Sequence, residues 1–171
     1  GWPRQGLIEI LADQQGIGEL RLLLPALAAL CRDAGAHDRG SGGWIAWVSP
    51  PYRPYAPSLA AWGIDVGRML VVNGAGATEW AMDQALRSES CSAVLGWSNP
   101  RDPHALRRLQ LAAEASRSLA VLYRPLQAGL TPSPAVLRLA LLGGRHRRPA
   151  GAHRQKPRRP SRHGEPGVLR W

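Results

Sequence analysis

"EILADQQGIGELRLLL", residues 9 to 24, decides the fold. An apolar stretch, Leu7 to Leu11, ends in a polar turn holding Gly16 and Gly18, and an apolar helical pattern follows at once. Strand, glycine loop and helix in that order form the frame that cradles phosphate groups. The chemistry of that frame also needs a lysine and a Ser/Thr at the end of the loop. Glu19 and Leu20 stand there instead. Two readings of the glycines follow. One is a tight strand-to-helix turn that needs them for backbone reasons. The other is a residual anion site at a helix N-terminus, which has to contend with the like charge of Asp13 and Glu19.

The same alternation continues outward. Apolar runs at Leu7–Ala12, Trp44–Val48, Met69–Val72, Ala93–Trp97 and Leu119–Tyr123 have the length and lack of alternation of strands buried on both faces. Helical patterns lie between them. Glu19 to Arg32 carries Pro25, which predicts a kink or disturbed first turns. Pro57 to Trp62 stops at Gly63, and Thr78 reads as the N-cap of Glu79 to Arg87. Asp102 caps a helix opened by Pro103, with Leu106, Leu109 and Ala113 on one face. Val136 to Leu142 adds a candidate edge strand. Strands alternating with helices imply a parallel sheet with right-handed crossovers.

The net charge of +10 is concentrated at one end. Residues 145 to 171 carry nine Arg/Lys against the single acid Glu165, so residues 1 to 144 are nearly neutral. The chain therefore divides into an α/β domain, 1–144, and a basic tail, 145–171, with the Pro, Gly and Arg content of disordered sequence. Any electrostatic case for nucleic acid rests on Arg145, Arg147, Arg148, Arg154, Lys156, Arg158 and Arg159. Lys156 is the sole lysine, so none is available to a phosphate loop in the domain. A start at Gly1 rather than Met reads as a fragment or processed product. The longest apolar run, Leu22 to Cys31, is about half of what a bilayer needs. Cys31 and Cys91 make no disulfide framework, which fits a reduced, cytoplasmic setting.

Catalytic constellations are missing. Magnesium-dependent NTP hydrolysis needs a carboxylate at a strand end. The fourth strand ends in Gly96, Trp97, Ser98 and the second in Ser49, Pro50, Pro51. His37, His104, His146, His153 and His163 lie away from Cys or carboxylate at metal-ligand spacing, and no nucleophile elbow occurs. No cofactor, metal or catalytic residue is expected. "PPYRPYAP", residues 50 to 57, presents Tyr52, Arg53 and Tyr55 on a proline-stiffened loop. It reads either as a rigid connector or as a partner surface, since Tyr and Arg dominate interface hot spots. Arg107 and Arg108 read as a solvated helix face or a second contact. Most of the seven tryptophans are expected in the core, with Trp47 and Trp97 flanking the vacant pocket.

Taken together, "GWPRQGLIEIL", "GIGELRLLLPALAAL", "WIAWVSPPYRPYAPSLAAWGIDVGRMLVV", "QALRSESCSAVLGW", "LRRLQLAAEASRSLAVLYRP" and "SPAVLRLAL" resemble ImuA, a SulA/RecA-like family. The likeness runs from Trp2 to about Leu142. It implies a RecA-like α/β fold of the P-loop NTPase type, with a mostly parallel sheet, helices on both faces and a degenerate nucleotide site. Set against RecA, Glu9–Ile10 leads into the phosphate loop and Gly18 stands where the lysine would be. Pro51 stands in place of the catalytic glutamate, and Trp97 lies near the Walker B aspartate.

The resemblance implies a non-catalytic adaptor in SOS-induced translesion DNA synthesis, with ImuB, an error-prone DnaE-type polymerase and RecA as partners. Its alternative is a division inhibitor of the SulA kind, which binds FtsZ; "LLLP…L" and "VLGW…RP" are shared with that branch. The Pro/Tyr loop and the basic helix favour ImuA. The Arg/Pro/His tail departs from the family pattern, and is of a kind that a shifted frame in GC-rich DNA could encode.

Overall fold

The computed structural model describes residues 2–16, 18–36, 43–74 and 76–142. The tail at 145–171, including all seven of its candidate nucleic-acid residues, lies outside them. Strand β1 (Gly6–Leu11) leads through a 3-10 turn (Glu19–Leu22) into helix α1 (Leu24–Ala36). Next come β2 (Trp44–Val48), α2 (Ala56–Ala61), β3 (Met69–Val72), α3 (Thr78–Arg87) and β4 (Cys91–Trp97). Helix α4 (Pro103–Ala115), β5 (Leu119–Arg124), a 3-10 turn (Leu126–Leu130) and β6 (Leu137–Ala140) complete the order.

The six strands form one sheet in the order β3-β2-β4-β5-β1-β6, and every pairing is parallel. Connections that step toward the β3 edge carry α1 and α2 on one face. Those that step back carry α3 and α4 on the other, which is what right-handed crossovers require. Ile8, Ile10, Ile45, Trp47 and Leu95 pack against Leu24, Leu27 and Leu59 on the first face. Leu7, Val48, Val94 and Leu122 pack against Met82, Leu86, Leu106 and Leu109 on the second. Gly96 lets α3 approach this closely: a Cβ there would overlap the Met82 sulfur.

Local chemistry explains the helix starts. Asp102 accepts the His104 N–H at 2.9 Å and Pro103 opens α4. Pro25 takes the second position of α1, where its missing N–H costs nothing, and the disturbed turn is the 3-10 segment before it. Thr78 differs from expectation. It is the first helical residue of α3, because its hydroxyl is engaged with Ser49 Oγ at 2.8 Å rather than capping the helix.

Two burial expectations are corrected. Strand β3 is the sheet edge, so Leu70 and Val71 remain exposed rather than covered on both faces. Among the described tryptophans, Trp47 is fully buried and Trp2 and Trp97 pack half-buried against the core, but Trp44, Trp62 and Trp80 are exposed. Among the described residues, no helix is long and apolar enough to cross a membrane.

Candidate functional site

A cavity of about 400 Å³ opens at the carboxyl ends of β1, β4 and β5. Its position follows from topology. The chain leaves β1 toward β2, whereas it leaves neighbouring β5 in the opposite sense toward β6, and such divergence opens a crevice at strand ends. Asp13, Gln14, Gln15 and Glu19 wall it on one side, with Trp97, Asn99, Tyr123 and Arg124 opposite.

The glycine loop is real, with φ +77° at Gly16 and +98° at Gly18. The Gly16 N–H donates to Glu19 Oε1 at 2.9 Å, and Glu19 is buried. A side-chain carboxylate thus already occupies the amide of the first loop glycine. The end of β4 is also less empty than its sequence. Ser98 Oγ donates to Glu79 Oε1 at 2.5 Å, so α3 delivers a carboxylate that the strand lacks. At the end of β2, Ser49 has φ +53° and its Oγ accepts the Gly74 N–H at 3.1 Å.

Aromatic rings line the inner wall. Trp97 stacks on Tyr123 at 4.6 Å between centroids and on Trp47 at 5.8 Å. Trp97 and Tyr123 reach the cavity, whereas Trp47 lies buried behind Trp97 and does not flank it. Glu19 Oε2, Trp97 Nε1 and Tyr123 Oη are buried and lack a hydrogen-bond partner among the described residues. Burial, and then the nearby Glu19 charge, push the Tyr123 phenol well above its ordinary range.

Beside the cavity, Glu9 is fully buried and binds two arginines. Arg124 Nη1 donates to its Oε1 at 2.7 Å and Arg138 Nε to its Oε2 at 2.6 Å. Arg124 also donates to Asn99 Oδ1 and the Pro100 carbonyl, and Arg138 to the Ala128 and Thr131 carbonyls. A buried charge is tolerated only when paired and hydrogen-bonded this fully. Sequence reading missed this cluster. The one available signal was an acid inside an otherwise apolar strand.

Tyr52 and Tyr55 are 67% and 71% exposed, and Arg53 is exposed beside them. Tyr52 also lies against the glycine loop, its ring 3.6 Å from where a Gly16 Cβ would be. Arg107 and Arg108 are exposed on α4, in the layer on the other side of the sheet from α1 and α2. The two sets therefore form separate surfaces. Cys31 is half-buried and free; Cys91 is buried and free, and burial raises its thiol pKa. Among the described residues, no group of three His, Cys, Asp or Glu is placed to hold a metal.

No protein-family model matches the chain. A cell division inhibitor SulA from Edwardsiella piscicida is 35% identical over 125 residues, covering 72% of this chain and 70% of that protein. The cell division inhibitor SulA of Photorhabdus laumondii is 32% identical over 124 residues, covering 71% of this chain and 66% of the relative. The crystal structure of SulA from Pseudomonas aeruginosa superposes with a TM-score of 0.50 at 23% identity, covering 69% of this chain and 97% of that one. That last likeness concerns the fold alone. The relatives fall on the SulA side of the resemblance rather than the ImuA side. The chain belongs to the SulA family.

Proposed function

We propose that this protein is a non-catalytic, SOS-linked division inhibitor that acts by binding FtsZ. The observation that carries the reading is the 35% identity to a SulA division inhibitor over 125 residues. The site geometry agrees. A loop closed by its own carboxylate and an exposed Tyr/Arg loop suit contact with a protein better than turnover of a nucleotide. On this reading the frame is that of a RecA-like P-loop ATPase whose charges have been replaced. The test is FtsZ polymerisation and GTP hydrolysis with increasing amounts of this chain. Loss of both, saturating near equimolar chain, is expected; unchanged FtsZ activity overturns the reading.

One observation favours the ImuA-type adaptor as a second reading. The exposed Tyr52–Arg53–Tyr55 loop and the Arg107–Arg108 pair are separate surfaces, as a protein bridging ImuB, a DnaE-type polymerase and RecA would need. Binding measured side by side to FtsZ, ImuB and RecA decides between the two.

A further inference from the structure

A carboxylate buried without a cation is costly unless a binding partner supplies the charge. Glu19 is such a group: it is 6% exposed, its Oε1 accepts the Gly16 N–H, and its Oε2 has no partner among the described residues. It walls the 400 Å³ cavity together with Asp13. Arg124 also lines that cavity, but its guanidinium is already engaged by Glu9, Asn99 and the Pro100 carbonyl. Glu9 is shared by Arg124 and Arg138, so that cluster keeps one positive charge against the carboxylates of Asp13 and Glu19, and the cleft stays net negative, a setting that attracts cations and repels phosphates.

We infer that this cavity receives an arginine side chain presented by the protein partner, an inference that rests on the chain acting through protein contacts. The guanidinium is planar, always charged and weakly hydrated, so it enters a buried carboxylate site at less cost than an ammonium. Glu19 Oε2 and Tyr123 Oη are unpartnered but closed to solvent in the free chain, so the entering guanidinium has to turn the Glu19 side chain outward before its N–H groups pair with Oε2 and reach Oη. Trp97 Nε1, a donor on the same wall, is left for a carbonyl of the same peptide. Tyr52, packed against the glycine loop, places the exposed Tyr/Arg loop next to the entering chain.

The test titrates the full chain with N-acetyl-arginine amide and with its neutral citrulline isostere, following the Trp97 indole N–H by NMR. Arginine should shift that signal saturably and citrulline should not. Glu19→Gln should weaken the arginine response by about tenfold or more, while Asp33→Asn, on the exposed side of α1, leaves it unchanged. Equal binding of citrulline, or no response to arginine, overturns the inference on the wild-type chain alone, whether or not the Glu19 variant folds. FtsZ inhibition is scored separately. A folded Glu19→Gln chain that loses the arginine response yet still inhibits FtsZ leaves the proposed function standing and removes the cavity from the interface.

Discussion

Gly16 and Glu19 form a closed pair, the Gly16 N–H donating to the Glu19 carboxylate at 2.9 Å within a turn of two left-handed glycines. The amide at the first of these glycines is thereby taken up by the chain's own acid. The pair fixes the entry to the 3-10 turn and α1.

ATP should neither bind tightly nor be hydrolysed. A phosphate would meet Glu19 and Asp13 with no lysine to offset them, and phosphoryl transfer depends on such charges. Equilibrium dialysis with magnesium and micromolar ATP should show no saturable retention. Magnesium-dependent binding in that range would contradict the expectation.

Replacing Tyr52, Arg53 and Tyr55 by alanine should weaken partner binding by about 2 kcal/mol or more, the size expected of interface hot spots. All three are exposed and lie between β2 and α2, so the thermal midpoint should move little. Normal FtsZ affinity in the folded triple variant would shift attention to Arg107 and Arg108.

Gly96→Ala should destabilise the fold by about 1–3 kcal/mol, as overpacking of a close contact does. The added methyl would overlap Met82, which is fully buried in the α3 layer. Urea denaturation reads the loss, and a smaller residue at 82 should recover part of it.

Tyr123→Phe should leave stability at neutral pH unchanged or raise it by about 1 kcal/mol, since it removes a buried hydroxyl that has no partner. The pH dependence has a definite sign. Tyr123 and Cys91 both hold their protons to higher pH in the folded chain than in the unfolded one. Their contribution is fully present below the ordinary thiol range. It declines as pH rises through the ordinary thiol and then phenol ranges, where the unfolded chain loses protons first. Urea midpoints should therefore fall on the alkaline side, and less steeply in the Tyr123→Phe chain.

The sequence alone determined which segments are strands and which are helices, and at some elements their ends. β2 and β3 span the residues that their apolar runs predict, and α4 starts at the Asp102–Pro103 signal. Periodicity and capping are local, so they survive without knowledge of neighbours. The candidate β6 was legible for the same reason. Tertiary structure decided the rest. Only the strand order shows that β3 is an edge, leaving Leu70 and Val71 uncovered. The parallel register of β1 with β5 and β6 sets Glu9 opposite Arg138 and beside Arg124, pairing groups 129 and 115 residues apart. Glu19 read in the sequence as a charge that repels phosphate. In the fold it turns back three residues onto Gly16, and its other oxygen is sealed and unpartnered at the wall of a cavity that the ends of β1, β4 and β5 build together. Charge pairing depends on distance in space, which a chain acquires only when its register is set.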